Sequence, residues 1–208
     1  MQFLREWVVL SMLILAGCQM QADVQQAVVE EQGVKDQDTT TKLDAFQGKT
    51  GNVLIKGYTE IGEVPFDDDR LGKARVSAMI LTDVATGEKM SGVVIYVTEL
   101  RGAIMMRGEI SKQTDHSFID YDEIDSLLNG IDYVSKATSE VTKLDHFEVI
   151  YRTKGKFQVA SFGENEEKYV GANVKTASSN EGFPIGIEGL GELRTLIVKA
   201  KQELDSAK

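Results

Sequence analysis

The segment HSFIDYDEIDSLLNGIDYVSKA, residues 116–137, contains the pattern that decides the fold. Four of its apolar side chains are spaced three, four and three residues apart, which is the spacing of one face of an α-helix. They are Ile124, Leu127, Ile131 and Val134. The same spacing returns 66 residues later in Leu190, Leu193, Ile197 and Ala200. The sequence therefore predicts amphipathic helices at about 122–137 and 189–205. Gly130 weakens the first by roughly 1 kcal/mol relative to Ala, which predicts a close packing contact there.

Runs rich in β-forming residues precede each predicted helix. In the first half they are NVLIKGYTEI, KARVSAMILTD and KMSGVVIYVTEL, followed by the apolar segment AIMMRGEIS. In the second half they are DHFEVIYRT, KFQVASFG, KYVGANVKT and the short GFPIGIE. The glycine-containing loops VATGE and KG separate neighbouring runs and are typical of β-hairpins. The separation of 66 residues also relates Ile119 to Ile185 and Tyr121 to Ile187, where the chain enters each helix.

These patterns predict a single α+β domain over residues 48–208 with a mainly antiparallel sheet, built from two ββββα units at 51–140 and 141–206. This order of elements resembles, in topology alone, the Whirly-type proteins that bind single-stranded nucleic acids. The net charge of −10 argues against nucleic acid as a partner, because affinity for the phosphate backbone depends on basic side chains. The alternative fold is a β-sandwich or barrel capped by the C-terminal helix, as in pleckstrin-homology-like domains.

The N-terminal segment MQFLREWVVLSMLILAGC has the layout of a bacterial export signal. A head with Arg5 precedes an apolar run, residues 8–16, that is shorter than the roughly 20 residues a membrane-spanning helix requires. The run ends in LAGC, residues 15–18, which closely resembles the lipobox of bacterial lipoproteins. The resemblance implies removal of residues 1–17, a diacylglyceryl thioether on Cys18 and usually a further acyl chain, such as palmitate, on its amino group. The alternatives are an ordinary signal peptide with a chance cysteine, or an uncleaved anchor.

Lipidation at Cys18 has consequences for the rest of the chain, because this residue is the only cysteine. No disulfide can form within the mature chain, and no cysteine remains for catalysis or metal binding. Gln19 follows Cys18, whereas lipoproteins of the inner membrane resemble one another in having Asp there, so the outer membrane is favoured. Residues 18–47 are rich in Gln, Asp, Glu and Thr and are predicted to form a polar tether between the lipid and the domain.

Acidic side chains crowd the segment that opens the first helix, and three of them are candidates for a metal site. Asp120 and Asp122 alternate, so on a strand they would share a face, and Glu123 is adjacent. The favoured interpretation is structural, since Asp120-x-x-Glu123 has the form of a capping box and Asp122 is an alternative N-cap. No metal and no cofactor is therefore predicted. The run Asp67–Asp69 lacks the alternating ligands of an EF-hand loop and is predicted to be a solvated turn.

Motifs for catalysis are absent from the sequence. It contains no Gly-x-Ser-x-Gly elbow, phosphate-binding loop or dinucleotide fingerprint. His116 and His146 each follow an aspartate, but a triad also requires a positioned nucleophile, and their spacing does not match the repeat of 66 residues. The sequence therefore predicts a protein that is not an enzyme.

The function favoured by these observations is a non-catalytic interaction or envelope-structural module, attached to a membrane through Cys18 and working with an envelope protein partner. The alternative is a small-molecule or glycan binder whose concave face is lined by Tyr96, Tyr133, Tyr151 and Phe162. The segments IDYDEIDSLLNGIDY, FEVIYRTKG and LGELRTLIVKAKQELD are similar to those of a family of uncharacterised bacterial exported proteins, over most of residues 42–206. That resemblance implies export and brings no assigned activity.

Overall fold

The computed structural model describes residues 40–67, 72–101, 111–164, 170–176 and 182–208. Within them the helices are α1 (Lys42–Gln47), α2 (Ile124–Val134) and α3 (Gly186–Ser206), with short 3-10 turns at Tyr121–Glu123 and Ser139–Val141. The strands are β1 (Leu54–Pro65), β2 (Gly72–Asp83), β3 (Lys89–Arg101), β4 (Ser111–Asp120), β5 (His146–Arg152), β6 (Gln158–Glu164), β7 (Val170–Lys175) and β8 (Phe183–Pro184). The lipobox with Cys18, most of AIMMRGEIS, and Asp68 and Asp69 lie outside the described residues.

The strands form two four-stranded sheets with the orders β1-β2-β3-β4 and β5-β6-β7-β8. Neighbouring strands are antiparallel and consecutive in the chain throughout both sheets. Both sheets are open, and a helix follows each of them. The predicted α+β fold of two ββββα units is therefore confirmed, and the strands are not closed into a barrel.

The helix boundaries differ slightly from those the sequence predicts. Helix α2 begins at Ile124 because the preceding residues form a 3-10 turn, and it ends at Val134. The Ser135 N–H and hydroxyl both donate to the Ile131 carbonyl, at 2.9 and 2.7 Å, and so satisfy the last turn. Helix α3 begins three residues earlier than predicted, at Gly186, whose φ of 64° makes the sharp turn from β8.

Each long helix packs mainly against the sheet of the other unit. Helix α2 lies against β5 and β6, whereas α3 lies against β1, β2 and β3 and also touches β7. The two helices contact each other, and two ion pairs join them. The Arg194 guanidinium lies 2.7 and 2.8 Å from the two Asp132 carboxylate oxygens, and Lys201 Nζ lies 2.5 and 2.7 Å from those of Asp125. The two units therefore form one interlocked body.

The repeated apolar stripe is the centre of the core. All eight side chains that define the repeat are at most 1 % exposed, and they belong to one apolar cluster with side chains from both sheets. Ile119 and Ile185 are buried in the same cluster, and Tyr121 and Ile187 pack against it. The buried faces that the spacing predicts for the two helices are thus confirmed.

The packed part of the chain extends into the segment predicted to be a tether, residues 18–47. Helix α1 lies within the polar segment, yet Leu43 and Phe46 are 0 % and 2 % exposed. They cover the outer face of the first sheet, where they meet Met79, Leu81, Val94 and Phe118. Two apolar side chains in a polar stretch are too few to predict a helix from the sequence, because the partner surface comes from three distant strands.

Gly130 makes the close contact that its position in a helix predicts. A Cβ at this residue would lie 2.4 Å from the Tyr151 ring. We expect Gly130→Ala to lower the free energy of unfolding by about 1–2 kcal/mol, because displacing the ring costs up to about 3 kcal/mol and better helix propensity returns about 1 kcal/mol. Chemical denaturation of residues 39–208, which form one compact unit, would measure this change.

The matched control is Gly191→Ala in α3. A Cβ there would meet nothing within 4 Å, so this variant should gain about 0.5–1 kcal/mol from helix propensity alone. If both variants were stabilised equally, the close packing of Tyr151 on α2 would be incorrect.

Candidate functional site

The three carboxylates that the sequence singles out line one pocket of about 290 Å³. The pocket lies where α1, the end of β4, the start of α2 and the β5–β6 hairpin come together. Its lining residues are Lys42, Asp120, Asp122, Glu123, Ser126 and Lys154. The two lysines carry no sequence signal for this site, because each reaches it only through the tertiary fold.

Asp120 holds the N-terminus of α1. Its side chain is 3 % exposed, and its two carboxylate oxygens accept from the backbone N–H groups of Lys42 and Leu43 at 2.8 and 3.0 Å. The Thr41 hydroxyl accepts from the Asp44 N–H at 3.1 Å and completes the cap. A buried carboxylate at a helix N-terminus satisfies N–H groups that have no partner within the helix and is stabilised by the helix dipole.

Asp122 forms an ion pair with the Lys42 side chain at the rim of the pocket. The hydrogen bond from Lys42 lowers the pKa of the Asp122 carboxyl below its usual value, and the same bond raises the pKa of Lys42. Both side chains are more than half exposed, so solvent screens the pair and its contribution to stability is small.

Glu123 fastens the β5–β6 hairpin. Its Oε1 accepts from the backbone N–H of Lys154 at 2.6 Å, while its Oε2 is buried and without a hydrogen-bond partner among the described residues. Burial raises the pKa of Glu123, and the nearby carboxylates of Asp120 and Asp122 raise it further. Gly155 lets the hairpin approach closely, since a Cβ there would lie 2.1 Å from the Phe118 carbonyl oxygen.

The predicted capping box is therefore wrong. Neither Asp120 nor Glu123 makes a side-chain capping bond at the start of the 3-10 turn or of α2. Their carboxylates instead bind the backbone of α1 and of the hairpin, which the sequence places 78 and 31 residues away. Among the described residues, no group of three or more His, Cys, Asp or Glu side chains is arranged to hold a metal ion.

The two Asp–His pairs lie in separate places and bind different partners. Asp115 accepts from the Thr176 hydroxyl at 2.5 Å and from the His116 backbone N–H at 2.8 Å. His146 Nδ1 lies 3.4 Å from Glu164 Oε1 at the surface. The contacts of Asp115 and of His146 are therefore made with different parts of the chain.

The four aromatic residues proposed to line a ligand cavity do not converge. Tyr96 lies on the outer face of the first sheet, where Arg75 lies 4.8 Å from its ring centroid and His116 5.9 Å on the neighbouring strand. Tyr151 packs on α2 and its hydroxyl contacts Ser126 at 2.9 Å. Tyr151 and Phe162 both belong to the second sheet, but their side chains lie on opposite faces of it. Tyr133 is 70 % exposed on α2.

Comparison with known proteins gives no match: no family model matches the chain, and neither does any curated protein or solved structure. The residues described by the structure include no helix with the length and apolar character needed to cross a bilayer. The class of protein defined so far is an α+β domain of two open antiparallel sheets with interlocked helices. The resemblances to lipoproteins and to exported bacterial proteins stay predictions.

Proposed function

We propose that the protein is a bacterial lipoprotein, anchored through Cys18 with preference for the outer membrane, whose α+β domain is a non-catalytic interaction or structural module of the cell envelope. The anchor rests on the lipobox LAGC at residues 15–18. The partner is an envelope protein, since the net charge of −10 disfavours both nucleic acid and anionic lipid.

The observation that carries this proposal is the attachment of α1. A six-residue helix is not stable alone in water, yet α1 is capped by Asp120 and anchored by two buried apolar side chains. The chain that leads to Cys18 therefore joins the domain at a defined point on the first sheet. Such a junction suits a domain that is displayed at the end of a tether. A force on the tether would act on α1, which is held to the domain by its cap and its buried side chains.

The partners of the three pocket carboxylates support a non-catalytic role. Asp120 binds α1, Asp122 pairs with Lys42, and Glu123 binds the backbone of the hairpin. Each of the three carboxylates thus binds a distant part of the chain, while Glu123 Oε2 is buried without a hydrogen-bond partner among the described residues.

Replacing Cys18 tests the anchor. In Cys18→Ser the thioether cannot form, so we expect the full chain to move from the membrane fraction to the soluble fraction and to lose incorporation of labelled palmitate. The effect should be large, because two or more acyl chains anchor stably whereas a single chain binds only marginally. Cell fractionation with metabolic labelling would measure both changes.

The matched variant is Gln19→Asp, which keeps the cysteine. It should retain the label but shift from the outer to the inner membrane if the residue after Cys18 directs sorting. A wild-type chain without label, or a Cys18→Ser chain that stays in the membrane pellet, would contradict the proposed anchor.

A further inference from the structure

Strand β1 is an exposed edge of the first sheet. Among the residues that the structure describes, it pairs with β2 alone, and from Ile55 to Glu60 every residue is exposed. Ile55 and Tyr58 are 59 % and 69 % exposed, although both are large apolar or aromatic side chains. An uncovered edge of this kind presents unpaired N–H and C=O groups that can pair with another strand.

The residues around Tyr58 are arranged so that this edge complements itself. When two copies of β1 run antiparallel with Tyr58 opposite Tyr58, Lys56 of each copy faces Glu60 of the other. Lys56, Tyr58 and Glu60 alternate along the strand and so share one face, which places both charge pairs on the same side of the sheet.

We propose that two copies of this chain associate through antiparallel pairing of their β1 edges, centred on Tyr58. The pairing is isologous and closes on itself as a twofold dimer with a continuous eight-stranded sheet. It does not depend on the lipid anchor, so it stands or fails separately from the proposed function.

The strand itself limits the register. The pairing of β1 with β2 shifts between Glu60 and Gly62, so the regular edge ends at Glu60. A twofold centred on Gly57 would place Lys56 opposite Tyr58 and Leu54 opposite Glu60, and would leave both charges without a partner. Among the described residues, Lys56 contacts Gln47 and Glu60 forms an ion pair with Arg75, each at 3.4 Å and exposed to solvent. Exposed pairs of this kind contribute little to stability, so both side chains can exchange these contacts for those of a second copy.

Cysteine crosslinking tests the centre of the pairing. Residues directly opposite each other in antiparallel strands have Cα atoms about 4.5–5.5 Å apart, within the range of a disulfide. The full chain with Tyr58→Cys should therefore form a covalent dimer on mild oxidation in cells. Thr59→Cys is the matched control, because its two copies would be diagonal neighbours about 7–8 Å apart and should crosslink much less. The unaltered chain, which contains only Cys18, measures the background.

Charge reversal tests the complementarity. Lys56→Glu places two acidic pairs across the dimer, and Glu60→Lys places two basic pairs, so each variant alone should dimerise about tenfold or more weakly than the unaltered chain. A mixture of the two variants restores both attractive pairs and should recover the dimer. Sedimentation of the full chain in mild detergent would measure the association.

Recovery of the dimer by mixing, together with crosslinking at 58 but not at 59, is the expected result. A monomer at all concentrations, equal crosslinking at both positions, or charge variants that dimerise as well alone as mixed would overturn the proposal. A strand from a different protein as the occupant of this edge would give the first of these outcomes.

Discussion

Asp120→Asn is expected to lower the free energy of unfolding by about 2–3 kcal/mol and to release α1. The carboxylate accepts two backbone N–H groups, whereas an amide has one acceptor oxygen and would turn its NH₂ group towards the second N–H. One of the two backbone N–H groups then has no acceptor, and it faces the NH₂ group of the new amide, which is also a donor. Denaturation of residues 39–208 would measure the loss of stability, and limited proteolysis near residue 47 would report the release of α1.

Asp122→Asn is the matched control for this substitution. Asp122 lines the same pocket, but its ion pair with Lys42 is exposed, so its loss should change stability by no more than about 0.5 kcal/mol. If the two variants were equally stable, Asp120 would not hold α1, and the attachment of the tether that supports the proposed function would lose its basis.

Ile131→Ala and Ile197→Ala should each lower the free energy of unfolding by about 2–5 kcal/mol, because both side chains are fully buried and truncation leaves a cavity. These residues occupy equivalent positions of the repeat in α2 and α3. Since each helix packs on the sheet of the other unit, both substitutions should shift one cooperative transition rather than split it in two.

Asn129→Ala, at an exposed position of α2, provides the comparison and should change stability by less than about 0.5 kcal/mol. Separate transitions for the two halves in either isoleucine variant would show that the units fold independently, in contradiction to the shared core.

Much of the fold could be predicted because it depends on periodicity. The three-four-three spacing predicts both long helices and their buried faces, and the alternating runs with glycine loops predict the hairpins. Burial of one face imposes such a pattern on each element whatever its neighbours are. The glycine in α2 likewise indicates a close contact, although its partner, the Tyr151 ring, comes from another strand.

The candidate site could be predicted only in part. The sequence identifies Asp120, Asp122 and Glu123 as a group, but it assigns their carboxylates to the wrong helix end. Capping rules consider only neighbours within a few residues, whereas the unsatisfied N–H groups nearest to Asp120 and Glu123 belong to α1 and to the hairpin. Lys42 and Lys154 carry no local signal at all, since a lysine near a carboxylate is defined by distance and not by spacing.

By itself, the sequence of this protein determined both long helices, most of the strands, the repeated spacing of its two halves, and the carboxylate-rich entry to α2. It placed the fourth run of the first half at AIMMRGEIS, residues 103–111, whereas β4 is Ser111–Asp120. Only the tertiary structure decided that each helix crosses to the other sheet, that α1 joins the domain through Asp120, and that β1 lies at the edge of its sheet among the described strands. Periodic patterns record which face of an element is buried, because water exclusion acts on each residue separately. They do not record what covers that face, because the identity of a partner depends on how distant segments pack together.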